Sequence, residues 1–183
     1  MIVNLLCDPM GLKCLYDEII ILSATFKTQY DILWSKISNV GVTVYEELDE
    51  AVIETIYQRQ MGSKKHLLIL SDDLDEQWRK MDTKLLNKLV TNSRHCNISM
   101  IFLIQKMTMC PTIIRSQADC ICAFSACSFA EFESLHREFS VVDKKRFHEM
   151  FTMVTNEPYH FLTICVQGGK IRMFDSFRVE IFA

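Results

Sequence analysis

The chain has 183 residues, of which 49% are hydrophobic and 23% charged, and its formal net charge is -3. This composition is ordinary for a globular protein, and the length suits one domain with a sizeable core, so we expect a single domain over residues 1–183. This slightly negative net charge excludes a positive electrostatic potential over the whole protein surface. Binding of DNA or RNA would therefore need a local basic patch or a multimer.

Eight cysteines occur in the sequence, and no two of them form a CxxC pair. Several lie inside apolar runs, which favours free thiols in a reducing compartment over disulfides. No apolar run is long enough to cross a bilayer, and the amino terminus shows no targeting pattern. We predict an intracellular protein that is not secreted and has no membrane partner. A thiol-dependent enzyme is an alternative that depends only on the cysteine count.

Apolar strands alternate with amphipathic helices along the first part of the chain. Asp49 is a favoured residue type for a helix N-cap, and Gly62 suits the position just past a helix end. The pattern predicts a helix over Met1–Leu15, a strand over Glu18–Leu22, a helix over Thr28–Ile37, a strand over Val42–Tyr45 and a helix over Asp49–Met61.

The next strand, within His66–Asp73, gives the strongest signal in the sequence. Residues 67–70 are apolar at every position, which is typical of a strand covered on both faces in a parallel sheet. They run directly into Asp72 and Asp73, and open α/β sheets bind ligands at the carboxyl ends of their strands. The purely structural alternative is a buried strand followed by the acidic start of a helix.

The alternation continues to the end of the chain and finishes in a β-hairpin. The predicted elements are a helix over Lys80–Ser93, strands over Ile98–Ile104 and Cys120–Phe124, helices over Phe129–Phe139 and Asp143–Met153, and a hairpin of Phe161–Val166 and Ile171–Phe174 around Gly168 and Gly169. Such a pattern predicts an α/β fold with a mostly parallel central sheet, helices on both faces and a carboxy-terminal β-hairpin.

Parallel pairing would bring three polar strand ends to one edge of the sheet: residues 23–25, the pair Asp72 and Asp73, and Gln105. Phosphoryl transfer needs a carboxylate that holds a metal and a group that orients water. Asp72 could ligate Mg²⁺, Asp73 could polarise water and Gln105 could sense a γ-phosphate. A solvated strand end is the structural alternative for Gln105.

Two arginines could supply positive charge for the transferred phosphate. Arg94 follows a predicted helix, where the structural alternative is a favourable interaction with the helix carboxyl end. Arg115 follows a proline-containing loop, and a surface salt bridge is its structural alternative.

The sequence contains no phosphate-binding loop of the form G-x-x-x-x-G-K-S/T. None of its glycines opens such a motif, so we assign no residue to binding of the nucleotide phosphates. The glycines are Gly11, Gly41, Gly62, Gly168 and Gly169.

Five parts of the chain form a characteristic series in their order and spacing. They are Asp17–Ser23 with Thr28–Asp31, Leu70–Asp73, Ser93–Ser99, Phe102–Gln105 and Pro111–Asp119. In this series the chain resembles the genome-packaging ATPases of large DNA viruses, virophages and Maverick-type (Polinton) transposons, a branch of the FtsK–HerA P-loop superfamily. The similarity covers nearly all of the chain.

This resemblance implies a RecA-like ATPase core that uses ATP and Mg²⁺, assembles as a homo-oligomeric ring and moves double-stranded DNA into a capsid through capsid or portal components. It implies a metal role for Asp72 and catalytic roles for Asp73 and Gln105. Arg94 or Arg115 would be presented across a subunit boundary, and we favour Arg94 slightly. An intracellular or virion-associated location follows from the same resemblance.

The chain departs from the family at its start. Members begin with a strand and a P-loop, whereas Met1–Leu6 resembles the interior of the helix that follows them. We therefore expect an amino-terminally truncated core that lacks the first strand and the P-loop, with doubtful ATP binding and no activity alone. The alternatives are a non-catalytic interaction module and a decayed mobile-element remnant.

Overall fold

The computed structural model describes residues 15–25, 41–125 and 128–182. The helix predicted over Thr28–Ile37 lies outside these residues, as does all but the last residue of the helix predicted over Met1–Leu15. The chain falls into two compact units. The amino-terminal unit runs to Gln105 and includes Met109–Ile113, and the carboxy-terminal unit contains Lys106–Thr108 and the residues from Ile114 onward. The single-domain organisation stays a prediction.

The amino-terminal unit is built on four parallel strands in the order β2-β1-β3-β4. The parallel sheet and its flanking helices confirm the predicted fold class. The elements are β1 Glu18–Ser23, β2 Gly41–Tyr45, α1 Glu50–Gln60, β3 Leu67–Asp72, α2 Asp75–Lys80, α3 Thr83–Asn92, a 3-10 helix Ser93–Cys96 and β4 Ile98–Leu103.

The core of this unit lies on β1 and β3. Ile19, Ile21, Leu68 and Leu70 are at most 4% exposed and form one apolar cluster. Their strands are apolar on consecutive residues because both faces are covered, as is usual for a parallel sheet.

The predicted helix over Lys80–Ser93 is wrong at its start. The structure has two helices there, α2 and α3, because Asp82 begins a new helix. Its carboxylate oxygen accepts hydrogen bonds from the backbone N–H groups of Lys84 at 3.0 Å and Leu85 at 2.9 Å. Residues 75–80, left without an element by apolar periodicity, form α2.

Trp78 fixes α2 against the sheet directly after the acidic strand end. Its side chain is 1% exposed, its Nε1 donates to the Ser71 hydroxyl at 2.7 Å, and its ring meets Phe102 edge-on at 5.2 Å between centroids. The loop that carries the aspartates is therefore held between a buried strand and a buried indole.

The carboxy-terminal unit contains a second sheet, antiparallel and four-stranded, in the order β5-β6-β7-β8. The predicted hairpin is confirmed, with Gly168 and Gly169 in the left-handed region at its turn (φ 58° and 77°). The elements are β5 Cys120–Phe124, α5 Phe129–Phe139, α6 Lys144–Thr155, β6 Phe161–Gln167, β7 Lys170–Asp175 and β8 Val179–Phe182. Two short helices precede them in the chain and have residues in both units: a 3-10 helix Met107–Met109 and α4 Thr112–Ser116.

Strand β5 pairs with β6 in antiparallel fashion, so it belongs to the second sheet. The alternation of strands and helices had suggested a continuation of the parallel sheet. Apolar periodicity identifies a strand without identifying its partner, which is decided by tertiary contacts. No helix among the described residues is both long and apolar enough to span a membrane.

Replacement of Asp82 with alanine tests the helix break. We expect a loss of about 1 kcal/mol in the free energy of unfolding, because two N–H groups at the start of α3 lose their acceptor. Denaturant unfolding followed by circular dichroism measures it. Asp82→Asn should stay near wild type, and equal losses in both variants would contradict the capping assignment.

Candidate functional site at the carboxyl edge of the parallel sheet

The parallel register places Ser23, Asp72 and Leu103 side by side at the ends of β1, β3 and β4. Just beyond these ends, the Gln105 side chain donates from Nε2 to Oδ1 of Asp73 at 2.9 Å. The buried Ser23 hydroxyl donates to Oδ2 of Asp72 at 3.4 Å. The polar groups that the sequence predicted at one edge do lie at one edge.

A tight turn presents the Asp73 side chain to solvent. Asp73 has a φ of 54°, in the left-handed region that aspartate tolerates better than most residues. The next residue, Leu74, is 2% exposed and anchors the turn in the core. The carboxylate of Asp73 is thereby exposed while its backbone is held.

Asp72 is buried further than Asp73, and its charge is disfavoured. Burial raises the pKa of the Asp72 carboxyl above its ordinary value, and the neighbouring negative charge of Asp73 raises it further. The hydrogen bond from Ser23 acts in the opposite direction. A cation beside Asp72 would relieve both unfavourable effects.

Asp75 is a third carboxylate at this edge, and our sequence reasoning did not select it. Burial raises its pKa, a hydrogen bond from the Gln105 backbone N–H lowers it, and the charges of Asp73 and Asp72 raise it again. The only sequence signal was the spacing Asp-Asp-Leu-Asp, which also suits the acidic first turn of a helix.

The donors at this edge fit Mg²⁺ better than a softer metal. They are carboxylate and hydroxyl oxygens, which hard cations prefer. Within the described ranges, no group of three or more His, Cys, Asp or Glu residues is arranged to hold a metal ion. Mg²⁺ is commonly held by one or two carboxylates with water and phosphate as the other ligands, so the arrangement is compatible with it.

The carboxyl edge of the parallel sheet, which carries Asp72, Asp73 and Asp75, is here called the acidic edge. Neither candidate arginine lies at this edge within the amino-terminal unit. Arg94 is exposed in the 3-10 helix before β4, at the amino edge of the sheet. A six-residue strand separates the two edges by roughly 20 Å. Arg115 lies in the carboxy-terminal unit, where its guanidinium contacts the carboxylate of Glu138 at 2.5 Å.

Three thiols, those of Cys120, Cys122 and Cys165, lie close together in the second sheet. The sequence spacing indicated only that Cys120 and Cys122 share one face of a strand. Cys120 and Cys165 are paired across β5 and β6, with their sulfur atoms 3.7 Å apart. A hydrogen bond with Cys120 lowers the pKa of the Cys122 thiol, and a hydrogen bond with Thr163 lowers it further. The pKa of the Cys165 thiol is raised to about 11, chiefly by burial. Among the cysteines that the structure describes, none forms a disulfide; they are Cys96, Cys110, Cys120, Cys122 and Cys165.

The sequence model of the poxvirus A32 protein family matches residues 22–166. The chain belongs to this family. The matched range contains the whole acidic edge, from Ser23 to Gln105, and continues into the antiparallel sheet. No curated protein sequence matches the chain.

Solved structures show the same fold. The crystal structure of B204, the DNA-packaging ATPase from Sulfolobus turreted icosahedral virus, is 16% identical with a TM-score of 0.64 and covers 88% of this chain and 83% of its own. The genome-packaging NTPase B204 from Sulfolobus turreted icosahedral virus 2, in complex with ATP-gammaS, is 20% identical with a TM-score of 0.62 and the same coverage. At these identities the likeness establishes the fold of the A32-family chain.

The pKa differences among the thiols predict an order of alkylation. As pH rises from neutral, Cys122 should react first because its thiolate forms at lower pH, whereas Cys165 should stay largely unreactive until the pH approaches about 11. Tandem mass spectrometry of iodoacetamide-treated protein resolves the individual sites.

Thr163→Val provides the control, because it removes one of the hydrogen bonds that lower the Cys122 pKa and should move its reaction to higher pH. Equal pH profiles for Cys122 and Cys165 would contradict the assignment.

Proposed function

We propose that this A32-family chain is a subunit of a viral genome-packaging ATPase, with its nucleotide site at the carboxyl edge of the parallel sheet. The observation that carries the proposal is the 2.9 Å contact of Gln105 with Asp73 across the tips of two parallel strands. The family match and the packaging-ATPase fold support it. B204 structures with ATP-gammaS and AMPPCP support nucleotide binding within this fold.

In this proposal Asp72 holds Mg²⁺, which when bound offsets negative charge on the nucleotide phosphates. The raised pKa of Asp72 supports the role, because a cation would stabilise the ionised form. The Ser23 hydroxyl keeps one Asp72 oxygen oriented by donating to it. The other carboxylate oxygen is then available to the cation.

Asp73 would orient the attacking water, since its carboxylate is exposed and can accept a proton or a hydrogen bond. Gln105 holds that carboxylate through its Nε2. Because the amide can form a different hydrogen bond when a phosphate is near, Gln105 would couple the state of the nucleotide to the position of Asp73.

For the arginine contributed across a subunit boundary we favour Arg94. Its side chain is exposed at the surface of the amino-terminal unit, whereas the Arg115 guanidinium pairs with Glu138 in the carboxy-terminal unit. A head-to-tail ring could bring the amino edge of one sheet to the carboxyl edge of the next, since heterologous contacts that close form rings. Homo-oligomeric assembly belongs to the proposal.

The finer assignment is also proposed. The chain would be a RecA-like member of the FtsK–HerA branch, related to the Maverick-type (Polinton) enzymes, that acts on double-stranded DNA with capsid or portal components. An intracellular or virion-associated location is part of the same proposal.

Manganese binding tests the metal assignment, with Mn²⁺ as a paramagnetic substitute for Mg²⁺. Asp72→Asn should weaken Mn²⁺ binding by about tenfold or more, because the substitution removes a charged ligand. Electron paramagnetic resonance of the free ion gives the affinity. The matched control is Glu76→Gln, which removes the same charge from an exposed side chain nearby.

Wild-type affinity in Asp72→Asn, or the same loss in both variants, would count against a metal at Asp72. In the latter case the bulk negative charge of the region would be the cause.

Turnover separates a catalytic subunit from a non-catalytic interaction module. The 183-residue chain alone should show no metal-dependent ATP hydrolysis, because its sequence contains no phosphate-binding loop. Mixed with an intact A32-family ATPase, a catalytic subunit carrying Asp73→Asn should lower turnover of the assembly relative to the wild-type chain.

An interaction module predicts co-assembly with no effect of Asp73→Asn. Gln77→Ala, a change on the next helix away from the Asp73 carboxylate, controls for altered assembly. Robust hydrolysis by the purified chain alone would show that this chain does not need a phosphate-binding loop of the usual form.

A further inference from the structure

We infer that Cys120, Cys122 and Cys165 form a redox-modification site, which exchanges with a small-molecule disulfide and closes a Cys120–Cys165 bridge between β5 and β6. The three side chains are called the thiol cluster below. None of them forms a disulfide in the structure, which is therefore that of the reduced form. The inference is independent of the proposed nucleotide site, because the thiol cluster lies wholly in the carboxy-terminal unit.

The register of the antiparallel sheet makes Cys120 and Cys165 direct partners on β5 and β6. In the adjacent pair, the backbone N–H of Val166 donates to the Asp119 carbonyl at 2.8 Å, which marks that pair as hydrogen-bonded. Hydrogen-bonded and non-hydrogen-bonded pairs alternate along an antiparallel ladder, so Cys120 and Cys165 form a non-hydrogen-bonded pair. The Cα atoms of such a pair lie about 4.5 Å apart, within the range that a disulfide can span.

The sulfur atoms of this pair are already close to bonding distance. The Cys165 thiol donates to Sγ of Cys120, with 3.7 Å between the two sulfur atoms. A disulfide bond is about 2.05 Å long, so the sulfur atoms have to approach by less than about 2 Å. Rotation of the two side chains about χ1 supplies a movement of this size, and the paired strands can stay where they are.

The thiol cluster lies on the face of the sheet that is turned away from α5 and α6. Ile121 and Ile164 pack in the apolar cluster that these helices form with the sheet. Because successive side chains of a strand point to opposite faces, the cysteines next to these isoleucines lie on the other face. Cys120 is exposed and the other two thiols of the cluster are partly exposed, so a small disulfide can reach them from solvent.

Cys122 is the member of the thiol cluster that supplies the attacking thiolate. Hydrogen bonds with Cys120 and Thr163 lower its pKa, while burial opposes them. The hydrogen bond with Cys122 is the largest cause of the raised pKa of Cys120, and burial is the largest cause that raises the pKa of Cys165 to about 11. The thiolate is the reactive form of a thiol, so exchange at neutral pH begins at Cys122.

Exchange proceeds in three steps, with the small-molecule disulfide as the oxidant. The Cys122 thiolate attacks one sulfur of the small disulfide, so that a mixed disulfide forms and one small thiolate leaves. Cys120 loses its proton to water and attacks Sγ of Cys122, which expels the second small thiolate. Cys165 then loses its proton and attacks Sγ of Cys120, and Cys122 leaves as a thiolate. Two protein thiols are thereby oxidised, and the small disulfide is reduced to two thiols that take up the two protons.

The last step favours the bridge between the two strands over one within β5. Cys120 and Cys122 are two residues apart on one strand, so their Cα atoms lie about 6.6 Å apart, near the upper limit for a disulfide. The cross-strand pair lies well inside that limit. Cys122 is also the best leaving group of the thiol cluster, because its pKa is lowered while those of Cys120 and Cys165 are raised.

The bridge ties β5, which is at one end of the four described strands of this sheet, to its neighbour β6. Cys120 and Cys165 are 45 residues apart in the sequence, and α5 and α6 lie between them. Closing a loop of this length restricts the unfolded chain, so the oxidised form resists unfolding more than the reduced form. In a reducing compartment such a bridge is transient and responds to the local thiol–disulfide balance.

The test incubates the full chain with oxidised glutathione in native buffer and then blocks the remaining thiols with N-ethylmaleimide in denaturant. Tandem mass spectrometry without reduction identifies the crosslinked peptides. The wild-type chain should give a Cys120–Cys165 crosslink that dithiothreitol removes. The buried thiols of Cys96 and Cys110 should be recovered in the reduced form.

Three variants separate the roles of the thiols. Cys165→Ser should lose the crosslink, and Cys165→Ala should lose it as well. Cys122→Ser should still form the Cys120–Cys165 crosslink, but about tenfold more slowly or worse, because attack must then begin at a thiol of higher pKa. The matched control is Cys96→Ser, which removes one thiol from the amino-terminal unit and should react at the wild-type rate. Circular dichroism verifies that each variant is folded.

Three outcomes would overturn the inference: no crosslink in the wild-type chain, a crosslink that forms only when the chain is denatured, or the wild-type rate in Cys122→Ser. A stable wild-type product that joins Cys122 to Cys120 or to Cys165 would contradict the argument from strand register in the same way.

Discussion

Parallel pairing of β3 with β4 is the constraint on which the candidate site depends. In this register Asp72 lies beside Leu103, so the residues that follow both strands leave the sheet at the same edge and Gln105 reaches Asp73. Antiparallel pairing would have placed Gln105 at the far end of Asp73's strand. The hydrogen bond across the strand tips thus follows from strand direction, and the burial of β3 on consecutive residues is typical of a strand in a parallel sheet.

The acidic edge is held together at a cost in stability. Asp72 is partly buried next to Asp73, and its raised pKa shows that the folded chain disfavours its charge. Natural proteins tolerate such unfavourable charges chiefly where function needs them. The surrounding structure compensates through Ser23, Trp78 and Leu74, which hold the backbone from within the core.

The sequence by itself determined the strands, the hairpin turn and the identity of the acidic pair, because apolar runs, glycines and adjacent carboxylates are local signals. It also supplied Gln105 as a strand end, and the resemblance supplied its role. Only the tertiary structure decided that Asp75 joins the edge, that β5 pairs with β6 and brings Cys165 to Cys120, and that the Asn97 side chain donates to the Ser63 carbonyl. Those facts depend on which strands become neighbours, and long-range pairing leaves no periodic trace in the chain.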